Sequence, residues 1–348
     1  MKLGHVYPTV SVVVATYNSA RTIKKCLEAV RSQKYSQEKI EIIIADGGST
    51  DDTEILCKQF NVTWIQVDKK KQNAEYNKGI GVAKATGEFL FLLDHDNIIP
   101  HVLWLSKMIQ PLLDDNTITA VETLRYAHDH KSSLIDRYFG LFGAGDPLAF
   151  YLGKSDRLSY MYDTYNLMGV PQEFPDYYKV TFSPLAIPTL GANGYIVRRA
   201  ILMKHAGADP RHFFHIDVNV DLIRKGFNTF AFVKDDILHL TGYANIWSFL
   251  KRRMLFMRQY HMGANGLQVR SLRRYSVYES QDVWKLIWFI FISLTVVIPL
   301  IDSIRGYRKV RDSAWFLHPI LCFSLVVLYA WVVISHKVTQ YGRKFLEI

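Results

Sequence analysis

The sequence has few cysteines and lacks the commonest nucleotide-binding loops. Its three cysteines, Cys26, Cys57 and Cys322, are far apart and match no metal or disulfide spacing, which fits a reducing compartment. It has no GxGxxG after the first predicted strand and no GxxxxGK[ST], which argues against a Rossmann dinucleotide site and a P-loop. The N-terminus has no charged leader followed by an apolar core and a cleavage site, so we expect no signal peptide.

Charge is absent from two stretches near the C-terminus. Residues 286–301 contain no charged side chain, and residues 314–335 contain none apart from the titratable His318. The second stretch is long enough to cross a bilayer core, and the first is long enough only if it begins at Val283 and Lys285 snorkels. Aromatic residues lie toward the segment ends, as at membrane interfaces: Trp284, Trp288, Trp315, Tyr329 and Trp331. We predict two transmembrane helices, with two buried core helices as the alternative.

Positive charge is concentrated just before these stretches. The chain has a net charge of +10, and residues 251–274 contain seven Lys or Arg and no acid. This bias predicts a soluble domain on the cytoplasmic side, beside anionic lipid. The connector 302–313 is also net positive, although a simple hairpin would place it outside. A hairpin that only partly enters the bilayer is therefore an alternative to two full spans.

Residues 244–262 have an amphipathic pattern that predicts an interfacial helix. A core helix with a basic rim is the alternative. One predicted face carries apolar residues and the other carries basic residues: Trp247, Leu250, Met254, Met257 and Tyr260 against Lys251, Arg252 and Arg258.

The N-terminal part alternates between strand and helix patterns. Residues 10–15, 41–45, 62–67 and 88–94 read as strands, the first two as continuous β-branched runs. Ile23, Cys26, Leu27 and Val30 make a helical stripe between the first two, and 73–85 suits another helix. Such alternation predicts an α/β fold, with a mostly parallel sheet and helices on both faces.

Polar residues follow three of these strands: Thr16-Tyr17-Asn18, Asp46-Gly47-Gly48-Ser49 and Asp94-His95-Asp96. In parallel sheets, ligands bind beyond the carboxyl ends of the strands. We therefore expect the three groups to share one edge and form a site, although each alone reads equally well as solvated turn chemistry.

The sequence resembles family 2 glycosyltransferases with the GT-A fold. The resemblance is carried by several segments, in order: VSVVVATYN, EIIIADGGSTDDT, Asn77-Lys78-Gly79, GEFLFLLDHDN, GANGYIVRR, FFHIDVNVDLIRKGF and FAFVKDDILHL. The basic and apolar segments that follow resemble membrane-attached members of the exopolysaccharide type. Residues 125–188, rich in Tyr and Phe, are not covered; their rings could face a sugar or lipid, or pack in a core.

The resemblance implies a domain order. Residues 1–240 would form the glycosyltransferase domain, with a nucleotide-sugar half at 1–100 and an acceptor half at 101–240. Residues 241–280 would form the membrane-interface segment, and 281–348 a transmembrane hairpin with its tail.

The resemblance also implies a donor site with a divalent metal, Mg²⁺ or Mn²⁺. Such ions favour oxygen ligands and neutralise a diphosphate leaving group. Asp96 is the better candidate ligand and Asp94 the second, while His95 reads as filler. Asp46 would accept a hydrogen bond from the nucleobase. The other implied donor-binding residues are Ala15, Thr16, Tyr17, Asn18 and Asn77.

On the acceptor side, Asp217 is the implied general base and Asp221 its rival. The sequence departs from the family here, because Ile216 stands where Glu is expected and the distance from Asp217 to Gly226 is short. An acidic residue in a first helical turn also has a purely structural explanation. Asn193 and Gly194 would shape the acceptor side.

The predicted function is an inverting hexosyltransferase of polysaccharide biosynthesis, integral to the cell membrane with its catalytic domain on the cytoplasmic side. It would transfer a sugar from a nucleoside diphosphate sugar to a hydroxyl of a lipid-linked acceptor. A UDP-sugar is the first choice of donor and a GDP-sugar the second; membrane lipids are expected partners, and nucleic acid is not. The alternatives are a polyprenyl-phosphate sugar synthase and an inactive nucleotide-binding membrane scaffold.

Overall fold

The computed structural model describes residues 7–187, 189–206, 209–258 and 282–346, with only the backbone at 212 and 339–346. The chain divides into two compact units. Unit 1 comprises the chain up to His128, Asp156–Leu158 and Thr164–Thr241; unit 2 comprises Asp129–Ser155, Ser159–Asp163 and the chain from Gly242 onward. The predicted glycosyltransferase domain was continuous to residue 240, whereas residues 129–155 here group with the C-terminal helices.

Unit 1 is built on a ten-stranded sheet in the order β3-β2-β1-β4-β9-β6-β10-β8-β7, with β5 pairing to β10. The strands are β1 Val10–Thr16, β2 Ile40–Asp46, β3 Thr63–Gln66, β4 Phe89–Leu92, β5 Asn97–Ile98, β6 Ala120–Tyr126, β7 Val170–Glu173, β8 Tyr177–Thr181, β9 Tyr195–Arg198 and β10 Thr229–His239.

The described helices of the two units are α1 Ile23–Arg31, α2 Thr53–Cys57, α3 Ala74–Lys84, α4 Trp104–Asp114, α5 Leu134–Phe142, α6 Pro147–Tyr151, α7 Arg199–His205, α8 His215–Arg224, α9 Ile246–Met257, α10 Val283–Thr295, α11 Val297–Lys309 and α12 Leu317–Leu346.

The sheet is mixed, and its first half is parallel. β3, β2, β1 and β4 run parallel to one another, whereas β9 lies antiparallel between β4 and β6. Every residue of β1 is buried, as expected of a strand covered on both faces. The predicted stripe on α1 is also buried at all four positions. The predicted α/β fold is confirmed, with a sheet that is mixed rather than mostly parallel.

Unit 2 packs its helices around aromatic residues. Tyr138 and Phe142 of α5 share a buried cluster with Phe249 of α9 and with Trp315. A Cβ atom on Gly306 of α11 would lie 2.3 Å from the Trp315 ring, so glycine allows this close approach. Part of the aromatic segment that the resemblance left uncovered therefore serves as core.

One helix of unit 2 has the length and composition of a membrane span. Ser313–Val338 has 26 residues and contains an 18-residue stretch with a mean hydropathy of 2.2. The first predicted span differs, because α10 and α11 are bent by 82° relative to each other. Each has 13 residues, about 20 Å of helix, which is shorter than a hydrocarbon core of about 30 Å. The described residues thus give one long helix and a bent pair, and the predicted hairpin stays a prediction.

The bend lies at Val296, whose φ of 54° is left-handed. A β-branched residue is strained in this region, so the break is a defined feature of the chain rather than a frayed end. Pro299 follows in the first turn of α11, where a missing N–H costs nothing.

The α9 helix is amphipathic in a different way from the prediction. Leu250 is buried together with Phe249, whereas Trp247 of the same predicted face is 79% exposed. The exposed side combines Trp247, Leu255 and Phe256 with basic residues, and the Arg252 guanidinium lies over the Phe256 ring. Tyr260 lies outside the described residues. The helix thus has a core face and a mixed aromatic and basic face, a combination suited to a membrane interface.

Candidate active site

The carboxyl ends of β1, β2 and β4 lie side by side. The parallel register pairs Thr16 with Asp46, and the Leu93 N–H donates to the Val13 carbonyl just before Asp94. Because β1 is the central strand of the three, residues 16–18, 46–49 and 94–96 follow neighbouring strand ends. This edge holds the predicted donor site.

Asp46 is buried and its carboxylate is already well supplied with donors. Oδ1 accepts from the Thr16 hydroxyl at 2.8 Å and the Ser49 hydroxyl at 2.5 Å. Oδ2 accepts from the backbone N–H groups of Gly48 and Ser49 at 2.9 and 2.8 Å. The carboxylate therefore holds the loop after β2, where Gly48 has a φ of 88°. A nucleobase N–H would compete with these donors.

Asn18 closes the same loop from the β1 side. Its N–H donates to the Ser49 hydroxyl at 2.8 Å and its Oδ1 accepts from the Thr50 N–H at 2.8 Å. Ala15 and Thr16 are buried in the sheet, whereas the Tyr17 ring is 40% exposed. Among the four residues predicted to line base and ribose, Tyr17 is the one that offers a broad surface.

Asn77 is buried on α3, beneath the loop after β2. A Cβ atom on Gly47 would lie 3.0 Å from its Nδ2. Its Oδ1 is buried and has no hydrogen-bond partner among the described residues. A buried amide oxygen without a donor is costly, which is consistent with a ligand that donates to it.

Asp94 belongs to a chain of charges that the sequence did not reveal. Its Oδ1 lies 2.8 Å from the Lys78 ammonium, which lies 3.7 Å from Glu75 Oε1. Burial lowers the pKa of Lys78, but Asp94 and Glu75 outweigh it and raise the pKa above its usual range. The Lys78 charge therefore persists, and Asp94 has a cation within the chain.

Glu75 extends this chain to α8. Its Oε2 accepts from the His215 backbone N–H at 2.9 Å and lies 2.8 Å from His215 Nδ1. Burial raises the pKa of Glu75, but His215 and Lys78 dominate and lower it to about 2. Lys78 belongs to the Asn77-Lys78-Gly79 motif, but the sequence indicated no role for it. No pattern in the sequence connected Glu75 with His215.

Asp96 has different surroundings from Asp94. Its Oδ2 lies 3.5 Å from His239 Nε2 at the end of β10, and its buried Oδ1 has no partner among the described residues. Burial raises the pKa of Asp96, but His239 and His95 lower it to about 2. The Asp96 carboxylate, which has one unpartnered oxygen, and the His239 imidazole together fit the ligand preferences of Mn²⁺ or a similar divalent cation. The strand that ends in His239 was recognised from the sequence, but its histidine was not assigned to the site.

His95 makes its hydrogen bond to a different part of the chain. Its Nδ1 lies 3.0 Å from the hydroxyl of Thr22, which precedes α1. This arrangement agrees with the interpretation of His95 as a filler position.

The predicted acceptor loop, residues 191–194, connects to the donor side. Asn193 has a φ of 58°; its Oδ1 accepts from Asn97 at 3.1 Å, and its Nδ2 donates to the Tyr126 hydroxyl at 2.8 Å. Gly194 has a φ of 93°, and a Cβ atom there would lie 2.7 Å from the Ile237 side chain. Glycine is therefore required at this position, next to strand β10.

A buried ion pair holds the same loop. Arg157 Nη1 donates to Glu122 at 2.5 Å, and Nη2 donates to the Asn193 carbonyl at 3.0 Å. The second oxygen of Glu122 accepts from the Gly191 N–H at 2.7 Å. Arg157 lies in the segment for which the sequence offered no interpretation, so this support was missed.

The two candidate bases lie on α8, at the far side of the helix from the charge chain. Asp217 is buried in the first turn and Asp221 is half-buried. His215 and Asn219 form the opposite face, where they contact Glu75 and the acceptor loop. Asp217 lies about 200° around the helix from His215.

Residues 11–144 match the family model described as glycosyl transferase family 2. The chain carries a family 2 glycosyltransferase domain. The glycosyltransferase AglE of Haloferax volcanii is 29% identical over 135 residues, which cover 38% of this chain and 44% of that protein. A Methanococcus voltae enzyme, named as a dolichyl N-acetyl-α-D-glucosaminyl phosphate 3-β-D-2,3-diacetamido-2,3-dideoxy-β-D-glucuronosyltransferase, is 37% identical over 90 residues, covering 24% and 27%.

Among solved structures, the mannosyltransferase PcManGT of Pyrobaculum calidifontis, in complex with GDP-Man and Mn²⁺, aligns with 94% of this chain and 88% of its own. The TM-score is 0.49 and the identity 16%. The aligned segments cover less than half of the length of these two curated relatives.

Proposed function

We propose that this protein is a glycosyltransferase that uses a nucleoside diphosphate sugar and a divalent metal. The observation that carries the proposal is the buried, unpartnered oxygen of Asp96 beside His239, at the strand edge that also holds Asp94 and Asn77. The match to family 2 supports a glycosyl transfer reaction at this site.

Asp96 and His239 are the residues that would hold the metal. When bound, a divalent cation would neutralise charge on the diphosphate leaving group as a Lewis acid. Asp94 is engaged by Lys78, so we assign it to positioning rather than to direct ligation. Tyr17 offers a ring for stacking a nucleobase, and the open oxygen of Asn77 accepts a hydrogen bond from the donor.

The acceptor we propose is a hydroxyl on a lipid-linked glycan, with inversion at the anomeric carbon. The name of the Methanococcus voltae relative specifies a dolichyl phosphate-linked sugar as acceptor, which supports a lipid-borne substrate. Unit 2 supports the same idea, because α10 to α12 expose large apolar side chains, including Trp284, Phe291, Ile320 and Trp331. Such an exposed set favours contact with lipid. We place the catalytic domain on the cytoplasmic side because the basic residues favour that side.

A polyprenyl-phosphate sugar synthase is the second candidate, since its acceptor also resides in the membrane. An acceptor phosphate is already ionised and needs no general base. The two candidates therefore differ in whether transfer depends on a base within the site.

The test uses the full chain in detergent with a panel of nucleotide sugars and Mn²⁺ or Mg²⁺. We expect one donor to raise the melting temperature in a metal-dependent way and to be hydrolysed or transferred. Asp96→Ala and His239→Ala should lose both effects, whereas His95→Gln, which changes the neighbouring imidazole, should keep them. If no donor binds, or if Asp96→Ala behaves like the wild type, the proposal fails.

A further inference from the structure

His215 begins α8 and is paired with a buried carboxylate. Its Nδ1 lies 2.8 Å from Glu75 Oε2, and its backbone N–H donates to the same oxygen at 2.9 Å. Both side chains are nearly buried, at 14% and 12% exposure. Two contacts to one oxygen hold both the start of the helix and the plane of the imidazole.

This pairing decides which ring nitrogen carries the proton. A carboxylate can only accept, so Nδ1 is the protonated nitrogen of the neutral ring. Glu75 accepts two hydrogen bonds from His215 and lies 3.7 Å from the Lys78 ammonium, which favours its ionised form. The lone pair then lies on Nε2, which has no hydrogen bond among the described residues. A carboxylate–imidazole pair with an open Nε2 is the arrangement of a general base.

The pair lies between the donor side and the acceptor side of the site. On one side, Glu75 is linked through Lys78 to Asp94. On the other, a Cβ atom on Gly191 of the acceptor loop would lie 2.8 Å from the His215 carbonyl oxygen. His215 and Glu75 are therefore connected to residues on both predicted sides of the site.

The two aspartates of α8 do not share this position. By helical geometry Asp217 and Asp221 lie about 200° and 240° around the helix from His215, away from the face that touches Glu75 and the acceptor loop. The side chain of His215 contacts Glu75, which is linked through Lys78 to Asp94 at the strand ends.

We infer that His215, oriented by Glu75, is the general base of the transfer reaction, in place of Asp217. The inference rests on the proposed function with a hydroxyl acceptor. As the acceptor oxygen attacks the anomeric carbon, its O–H proton passes to Nε2 and the new C–O bond forms. The bond between the anomeric carbon and the diphosphate oxygen breaks, and its electron pair leaves on that oxygen. Glu75 stabilises the imidazolium until the proton is released to solvent.

The test compares steady-state transfer by His215→Gln, His215→Ala and Glu75→Gln in the full chain. The Gln side chain can still donate to Glu75 but cannot take a proton. We expect kcat to fall about a hundredfold or more in both His215 variants, with the donor-induced shift in melting temperature retained. Added imidazole should restore part of kcat in His215→Ala and none in His215→Gln, where the pocket stays filled. Glu75→Gln, a change in a positioning residue, should lower kcat and alter the pH profile of kcat/KM.

His101→Ala is the matched control, since His101 also lies 2.9 Å from a carboxylate, Asp235, but on an exposed surface. It should keep the wild-type kcat. If His215→Gln keeps kcat while Asp217→Asn loses it, Asp217 is the base and the inference is wrong. If both keep kcat, the reaction needs no base on α8, which also overturns the inference and favours a phosphate acceptor. Failure of the proposed function is distinct, because the wild type would then transfer nothing from any donor.

Discussion

The two carboxylates that follow β4 have different surroundings, although only one residue separates them. Asp94 is neutralised by Lys78, whereas Asp96 faces His239 and keeps one oxygen open. Because a cation binds where negative charge is left uncompensated, we propose that Asp96 ligates the metal and that Asp94 positions the donor. The resemblance already made Asp96 the better candidate ligand, but it gave no physical reason for the ranking.

Glu75 is expected to make stability depend on pH. Its pKa is lowered to about 2 in the folded protein, from an ordinary value near 4.5. A lowered carboxyl pKa stabilises the fold fully above the ordinary value, and this stability is lost as the pH falls toward 2. We predict that Glu75→Gln melts at a lower temperature than the wild type at pH 6, and that the difference shrinks at pH 3.

Thermal unfolding followed by circular dichroism at both pH values measures this effect. Glu54→Gln is the control, because Glu54 is a surface carboxylate paired with Lys58 at i,i+4 and its removal should matter little. A Glu75→Gln variant with the same pH dependence as the wild type would contradict the prediction.

At the scale of elements, the acceptor loop depends on a buried ion pair rather than on its own backbone. Arg157 and Glu122 are both inaccessible to solvent, and together they bind the loop at Gly191, Ala192 and Asn193. Removing one partner of a buried ion pair lowers the free energy of unfolding by about 3–5 kcal/mol, which is more than the intact pair contributes to it.

Arg157→Met should therefore destabilise the protein strongly, since it leaves the Glu122 carboxylate unpaired. The double variant Arg157→Met with Glu122→Gln should recover much of the lost unfolding free energy, because it removes both charges. Transfer activity should stay low in both variants, since neither restores the donors to the loop carbonyls. Chemical denaturation and the transfer assay measure these outcomes; a double variant less stable than the single one would refute the explanation.

At the scale of the whole molecule, the bend between α10 and α11 is compatible with a hairpin that only partly enters the bilayer, which the sequence left open. A straight hairpin would place the basic end of α11 on the opposite side of the membrane from the soluble domain. Two short helices bent by 82° can instead enter and leave on one side. The positive connector would then lie on the same side of the membrane as the basic segment at 251–258, as the positive-inside rule favours.

Cysteine labelling tests this topology. Arg308 is exposed near the end of α11, and the three native cysteines are buried, so Arg308→Cys adds an accessible thiol. We predict that a membrane-impermeant maleimide labels it in inside-out vesicles and not in intact cells. Lys24→Cys, exposed on α1 of the soluble domain, is the matched control and should label from the same side. Labelling of the two positions from opposite sides would restore the spanning hairpin.

Local patterns were enough to predict the strand–helix alternation, the three polar strand ends and the long apolar helix. Each of these depends on residues that are neighbours in sequence: the buried runs of β1 and β2, the stripe on α1 and the apolar run 314–335. Periodicity and residue type report burial directly, so the sequence by itself determined the fold class and the edge on which the site lies.

Only the tertiary structure decided which charges meet. Glu75 and His215 are 140 residues apart in sequence, and Glu122 and Arg157 are 35 apart. No local pattern encodes such contacts, because they depend on how distant strands and helices are brought together. The same holds for Asp96 with His239, and for the face of α8 that carries His215 rather than Asp217. The sequence determined that carboxylates gather at the strand ends, and the fold decided what each of them does there, because a charge acts through the partner that packing places beside it.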